Sequence, residues 1–425
     1  MIVSRAFRVE LNPTEEQKIL MEQTFGCVRK VFNMGLERKK KFYEETKKSL
    51  SFFSLCKDLT KLKETEEFSY LNDVSVITLQ QSLKNVDVAY KNFFRGLKKG
   101  KVGFPQFKCK GKSRDSFRLQ NNGFHLNDNS IFLAKLGDVK LKELDYIPLN
   151  AVKYYSVAIS KQAGRYFASV NCEVKMHDAP KPETAIGIDV GIKTLVVASN
   201  GQTFDNPKNT RKYAKKLRRQ QRRLSRTKKG SQNRKKAIKR VQKIHYKISN
   251  CRKDNLHKIT SNLVKTKPRY IVIEDLNVKG MLKNRKLSKS VADASFSEIK
   301  KQLEYKVKWY GGEIVKINRW FPSSKLCSVC GEIHKGLTLK DRIFVCPSCG
   351  HTQDRDEQAS WNIETEGLST LGQRGIYACG ESNKRERRTS VFLSNGFRET
   401  RTSRIHSWEN VSLMLFWIVL FAELF

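Results

Sequence analysis

The chain opens on SRAFRVELNP, where apolar and polar residues alternate with the period of two that a half-buried strand requires. Thr14 follows with Gln17 three residues on, the reciprocal pair of a capping box, which predicts a basic helix to about Lys48. Helical spacing persists through VITLQQSLKNVDVAYKNFFRGL, in which Val76, Leu79, Leu83, Val86 and Tyr90 recur along one side; a helical lobe is expected to about residue 99. Phe93, Phe94, Phe104 and Phe107 read as core residues rather than base-stacking platforms. From KVGFPQFKCKGKSRDSFRL to about Glu173 the period returns to two, in VKYYSVAIS and RYFASVNCEV, giving a small β domain able to share its sheet with the first strand. MHDAPKPET, with two prolines, reads as a linker. Beyond it, TAIGIDVGIKTLVVASNGQTF predicts a buried strand and a hairpin at Asn200-Gly201, PRYIVIEDL a strand, ASFSEIKKQLEYKVKWYG a helix and EIVKI another strand. Strands alternating with helices make this half an α/β domain.

Composition adds a partner. A chain of 425 residues with 39% apolar content has enough material for several folded cores, while a formal charge of +41 implies a polyanion, nucleic acid before anionic membrane. Residues 208–253 hold 21 Lys or Arg and no Asp or Glu, so no ion pair can form within them. Such a run is either a solvated helix face or a phosphate-contacting one; Ala237, Val241, Ile244 and Ile248 keep an apolar stripe that packs its second half along one side. Candidate phosphate contacts are Arg218, Arg219, Arg222, Arg223, Lys235, Lys236, Lys239 and Arg240. In the first lobe Gln80, Gln81, Lys84 and Asn85 share one neighbourhood opposite the apolar stripe, which suits either groove-edge readout or ordinary polar surface. The N-terminus has no secretory pattern, and the apolar last fifteen residues, VSLMLFWIVLFAELF, are short of the about 20 that a span needs, so no stable membrane association and a cytoplasmic, nucleoid-associated location are expected.

Two constellations could carry chemistry. Six of the ten cysteines are scattered, which suits a reducing compartment, and the others form Cys327-x2-Cys330 and Cys346-x2-Cys349, two knuckles able to surround one zinc ion. Each knuckle ends in a glycine, and His334 or His351 could replace one thiolate; four protein ligands leave no open position, so the zinc is structural. The second constellation is Asp189 at the end of AIGID, Glu274 at the end of YIVIE, and Asp356 after the knuckles. Carboxylates at strand ends can converge where divalent cations relieve their repulsion, and two such ions would activate water against a phosphodiester. An Asp bounded by Gly187 and Gly191 also suits a simple turn.

GIDVGIKTLVVASNG, YIVIEDLNVKGM, CSVCG with CPSCG, and DRDEQASWNI, in that order, resemble the TnpB/OrfB family of insertion-sequence proteins, relatives of type V CRISPR effector nucleases. With GFPQFKCKGKSRDSFR and EGLSTLGQRGIYACGE the resemblance covers roughly residues 1–381. It implies a multi-domain α/β chain: a β-barrel wedge domain (1–13 and 100–176), a helical recognition lobe (14–99), a RuvC-like, RNase H-fold nuclease domain (184–322, with basic helices over 208–263), an inserted zinc ribbon (323–352) and the end of the nuclease domain (353–381). It also implies an RNA-guided DNA endonuclease of a transposable element, often called a transposase, with a guide RNA from the element and target double-stranded DNA as partners. Carried over by position, Asp189, Glu274 and Asp356 would be catalytic and hold two magnesium ions, and Cys327, Cys330, Cys346 and Cys349 would hold one structural zinc. Asp275 and Asp354 are left as neighbours or caps. The family's usual Asn-Ala-Ala is here Gln358-Ala359-Ser360, a longer polar side chain near the site, and residues 382–425 form an atypical tail of the kind a change of reading frame would append. A nuclease-impaired, RNA-guided repressor and a structural RNA-binding zinc protein are the alternative readings.

Overall fold

A computed structural model describes residues 2–98, 100, 103–176, 184–338 and 340–372. Most of the linker and the whole atypical tail, with its apolar last fifteen residues, lie outside the described residues.

Strand β1 (Ile2–Asn12) leads into α1 (Glu15–Thr46), α2 (Phe52–Lys63), a 3-10 turn (Glu66–Asp73) and α3 (Val76–Leu97). Thr14 accepts the Gln17 N–H at 3.2 Å and the Gln17 side chain accepts the Thr14 N–H at 3.1 Å, the capping box expected from the sequence. Leu79, Leu83 and Val86 of α3 are buried, but Val76 is exposed; Leu71 and Val74 of the preceding turn occupy the core ahead of it. Phe93 is buried, whereas Phe94, Phe104 and Phe107 are exposed, contrary to their reading as core. Phe94 is one helical step round from Phe93, and Phe104 and Phe107 lie in a stretch without strand or helix; the rings of Phe94 and Phe104 lie against Phe93 and Tyr90 at the surface of α3.

The next strands are β2 (Ser116–Gln120), β3 (Phe124–Leu126), β4 (Ser130–Leu133), β5 (Gly137–Leu141), β6 (Lys153–Gln162) and β7 (Arg165–Lys175). They form one sheet with the first strand, in the order β2-β6-β7-β1-β5-β4-β3, antiparallel throughout. Its outer strands β2 and β3 are joined by only Asn121–Gly123, so the sheet must curl until its edges approach. Val9, Leu119, Ile131, Val139, Ile159 and Val170 fill the hollow, and Met21, Phe25 and Val28 of α1 close it.

A second sheet is built from β8 (Ala185–Asp189), β9 (Thr194–Ala198), β10 (Thr203–Asp205), β11 (Tyr270–Glu274) and β12 (Glu313–Ile317), in the order β10-β9-β8-β11-β12. Strands β8, β11 and β12 run parallel, while β9 and β10 form the antiparallel hairpin predicted at Asn200-Gly201. Helices α4 (Asn209–Ser225) and α5 (Gln232–Lys265) carry the basic run, followed by α6 (Val278–Met281), α7 (Ser288–Ala294) and α8 (Phe296–Trp309). The C-terminal half of α5, with α7 and α8, covers the face bearing Ile186, Ile188, Ile271 and Ile273. After β13 (Ile343–Val345) and β14 (Thr352–Asp354), a small hairpin, α9 (Arg355–Thr370) covers the other face, on Val272 and Ile317. No helix among the described residues is long and apolar enough to cross a membrane.

Candidate active site and metal centre

Strand parity decides which carboxylates meet. Side chains alternate along a strand, so with Ile186 and Ile188 facing α5 and α8, residues 185, 187 and 189 face α9. On β11 the same alternation sends Tyr270, Val272 and Glu274 that way. The parallel register pairs Ile188 with Ile273, so Asp189 and Glu274 follow one another level, at the carboxyl ends of adjacent strands. Asp356 lies in the first turn of α9.

Two glycines let that helix come close enough. A Cβ on Gly187 would lie 2.1 Å from the Ser360 carbonyl oxygen and 2.6 Å from the Glu364 nitrogen, and one on Gly367 would lie 2.3 Å from Val272 Cγ1. Helix and strand backbones touch directly, which brings the first turn of α9 to the strand ends. The electrostatics register the result: burial, then the neighbouring Glu274 and Asp356 carboxylates, push Asp189 up to about 7. Burial also raises Glu274, opposed by a hydrogen bond that Ser323 Oγ donates to Oε1 at 2.6 Å. Asp354 caps the helix as expected, accepting the N–H groups of Asp356 and Glu357 at 2.8 and 3.2 Å. The Asp356 carboxylate lies 3.6 Å from Arg355 and 3.9 Å from Arg342. Asp275, next to Glu274, is engaged elsewhere by Lys300 at 2.8 Å and Arg319 at 2.9 Å, whose charges hold it below the usual carboxylate range. The three-carboxylate set offers hard oxygen donors whose mutual repulsion the arginines beside Asp356 offset only in part, the chemistry that magnesium suits.

Among the described residues, the four cysteines are the group whose ligand atoms all lie within 4.8 Å of one another; the three carboxylates are spread more widely. Cys330 and Cys346 sulfurs are 3.5 Å apart and Cys327 and Cys349 3.7 Å, close to the about 3.8 Å edge of a tetrahedron with Zn–S near 2.3 Å. The knuckles are built alike: Gly331 N–H donates to Cys327 O and Gly350 N–H to Cys346 O, both at 3.0 Å, with each glycine at positive φ. Backbone N–H of Cys349, then of Ser348, lowers Cys346, while burial and the neighbouring sulfurs raise Cys330 and Cys349, so the thiols titrate as one set. His334 and His351 stand outside the group, so the residues fit one zinc ion on thiolates alone.

What joins the two centres carries no signal in the sequence. Gln358 does not project to the carboxylates: it is fully buried, donates to Leu326 O at 2.7 Å and accepts from Ser328 Oγ at 3.1 Å, inside the first knuckle segment. Asn362 donates to Leu326 O and to Ser323 O, both at 2.7 Å. Ser323, bonded to Glu274, is thus tied to the same helix that carries Asp356.

The candidate nucleic-acid contacts fall on two surfaces. Arg218, Arg219, Arg222 and Arg223 of α4 and Lys235, Lys236, Lys239 and Arg240 of α5 are all exposed. The hairpin is fastened at its base, where Asp293 accepts from Thr210 N at 2.9 Å and from Arg252 at 2.9 Å. On α3, Gln80, Lys84 and Asn85 are exposed, while Gln81 is engaged by Gln120 at 2.7 Å.

A family model described as "Probable transposase", OrfB of the IS605 type, matches residues 168–285, a helix-turn-helix domain model matches 1–48, and a Cas12f1-like TNB domain model matches 296–363. A Streptomyces pristinaespiralis protein named "Putative RNA-guided DNA endonuclease" is 39% identical over 389 residues, spanning 91% of this chain and 94% of its own. The chain belongs to the TnpB/OrfB family. An Escherichia coli K12 protein, "Putative RNA-guided DNA endonuclease InsQ", is 33% identical to this TnpB/OrfB chain over 394 residues, covering 89% of it and 94% of the relative. In fold, the TnpB/OrfB chain is similar to the protein of a cryo-EM structure of a Cas12f1-sgRNA-target DNA complex, with a TM-score of 0.53 at 14% identity over 86% of this chain and 98% of that one.

Proposed function

We propose that this TnpB/OrfB protein is an RNA-guided DNA endonuclease of a transposable element, with Asp189, Glu274 and Asp356 as its catalytic carboxylates. The observation that carries the reading is the convergence of the three from two strand ends and a helix start, registered in the raised Asp189. Magnesium ions held there would supply the Lewis acidity that activates water and stabilises the leaving oxygen of a phosphodiester. The protein's own part is positional. Ser323 orients Glu274, the Asp354 cap and the arginines at 355 and 342 fix Asp356, and glycines 187 and 367 set the depth of the helix. Zinc on the four cysteines braces the segment that delivers Asp356.

On this reading the curled sheet (1–13 and 100–176) is the β-barrel wedge domain, 14–99 the recognition lobe and 184–322 with 353–381 the RuvC-like nuclease domain around the ribbon (323–352). The exposed α4–α5 hairpin grips a guide RNA transcribed from the element, and Gln80, Lys84 and Asn85 face the target duplex. Gln358, turned toward the knuckles, gives no support to a nuclease-impaired repressor. The test is to purify the protein with its co-expressed flanking transcript, sequence the bound RNA, and present the complex with a plasmid library carrying a matched target beside a randomised motif. Magnesium-dependent cutting that Asp189→Ala, Glu274→Ala and Asp356→Ala each abolish, with RNA retained, is expected. A complex without RNA, or binding without cutting, would overturn the proposal.

A further inference from the structure

A cleft of about 350 Å³ opens beside Glu274, on the side of β11 away from α9. Glu274 itself and Val190, the residue after Asp189, form part of its wall. Its floor is apolar, with Leu276, Val278, Phe296 and Leu303, and its rim carries Lys279, Lys300, Lys301 and Arg319 against one carboxylate, Glu304, with Lys300 and Arg319 also paired to Asp275. Trp320, next in the chain to Arg319, is 84% exposed, the barest large apolar side chain among the described residues. The carboxylate arrangement does not use this space.

We infer that the cleft receives the base of the nucleotide next to the scissile phosphodiester, turned out of its stack, with Trp320 offering its face to the following base. The inference rests on the nuclease reading and adds to it a nucleotide subsite. The volume lies in the range of small-ligand sites, and an apolar floor under a cationic rim matches a flat base joined to a phosphate. A strand whose phosphate lies at Glu274 has its neighbouring base within reach of a cleft that Glu274 borders. A base still paired in a duplex cannot enter, so unpairing at the cut is built into recognition. Exposed aromatics are the usual platforms for unpaired strands, each stacked base contributing roughly 1–3 kcal/mol.

The test fills the cleft. Val278→Trp is compared with the original protein in the complex with bound RNA, on targets carrying a natural or an abasic nucleotide at each position flanking the cut. Val278→Trp is expected to cut the natural target about 10-fold to 100-fold more slowly than the original protein, and an abasic nucleotide at one position should largely restore it. Independently of cutting, 2-aminopurine at that position should brighten when the target binds the Asp189→Ala complex, and less so with Val278→Trp added. Equal slowing on every abasic target, or no position-specific brightening, would overturn the inference. If the original protein brightens 2-aminopurine but cuts nothing, the nuclease reading falls and the subsite stands. Retained RNA and zinc in Val278→Trp report that it has folded.

Discussion

Ser323 donates one hydrogen bond to Glu274, and that bond opposes the upward push of burial on the carboxyl. Ser323→Ala removes it and leaves Glu274 easier to protonate and free to turn. Cleavage should fall about 10-fold, equivalent to about 1.4 kcal/mol, with RNA retention unchanged; Ser323→Thr should keep most of the activity. Lys306 supplies a second residue-scale expectation. Its ammonium is buried between α8 and α5, donating to His257 O, Thr260 and Ser261, and desolvation lowers it to about 8 from an ordinary 10.5. Between those values the unfolded chain binds the extra proton, so this contribution to stability improves as pH rises from 8 to 10.5 and its cost is complete below 8. The thermal midpoint of the protein, measured against Lys306→Met, should therefore move in favour of the lysine as pH climbs through that window, by on the order of 2 kcal/mol in all. Legibility at this scale was uneven. Asp354 as a cap and Asp275 as a neighbour could be named from their places beside Asp356 and Glu274. Ser323 sits in a Pro-Ser-Ser turn with no periodicity and becomes visible only when the turn is folded against β11.

Helix α9 is the element on which most depends. Gly187→Ala would place a methyl group against the Ser360 carbonyl oxygen, a backbone atom that cannot step aside. The helix must lift, so destabilisation of about 3 kcal/mol and loss of cutting are expected together, by denaturant titration and cleavage assay. Zinc acts on the same helix through Gln358 and Asn362. Chelation, or Cys330→Ser with Cys349→Ser, should remove one zinc per chain by metal analysis and lower cleavage even when magnesium is in excess. Substituting Gln358→Ala should weaken zinc retention, because its two partners lie in the knuckle segment. This helix, both knuckles and every strand of the second sheet are readable in the sequence, since each carries its own cap, glycine or apolar run. Phe94, Phe104 and Phe107 are misplaced by it because aromatic content marks burial only on average, and Phe94 and Phe104 rest on the outer side of Phe93 and Tyr90.

Charge of both signs is concentrated, at separate places, in the half of the molecule built on the second sheet. The α4–α5 hairpin projects a basic surface whose fastening point is Asp293, while the carboxylates lie at the strand ends of the second sheet. Reversing Arg218, Arg219, Arg222 and Arg223 to Glu should weaken RNA retention and flatten its salt dependence, by roughly 0.7 to 0.9 in slope for each phosphate no longer neutralised. Filter binding across a salt series, with Asp189→Ala as the comparison that leaves RNA affinity intact, measures it. That the antiparallel strands flanking the first lobe belong to one curled sheet with the N-terminal strand was foreseeable from their period, whereas the approach of its edges required the pairing itself.

The close seating of α9 on Gly187 has a consequence for how the molecule is made. A ribosome delivers Asp189 and Glu274 well before the knuckles, and Asp356 only after both knuckles have emerged. An interrupted chain ending between Gly350 and Asp356 would carry the basic hairpin and two of the three carboxylates. It could hold nucleic acid without cutting it. On the proposed function, the order of synthesis leaves every unfinished product without its complete set of carboxylates.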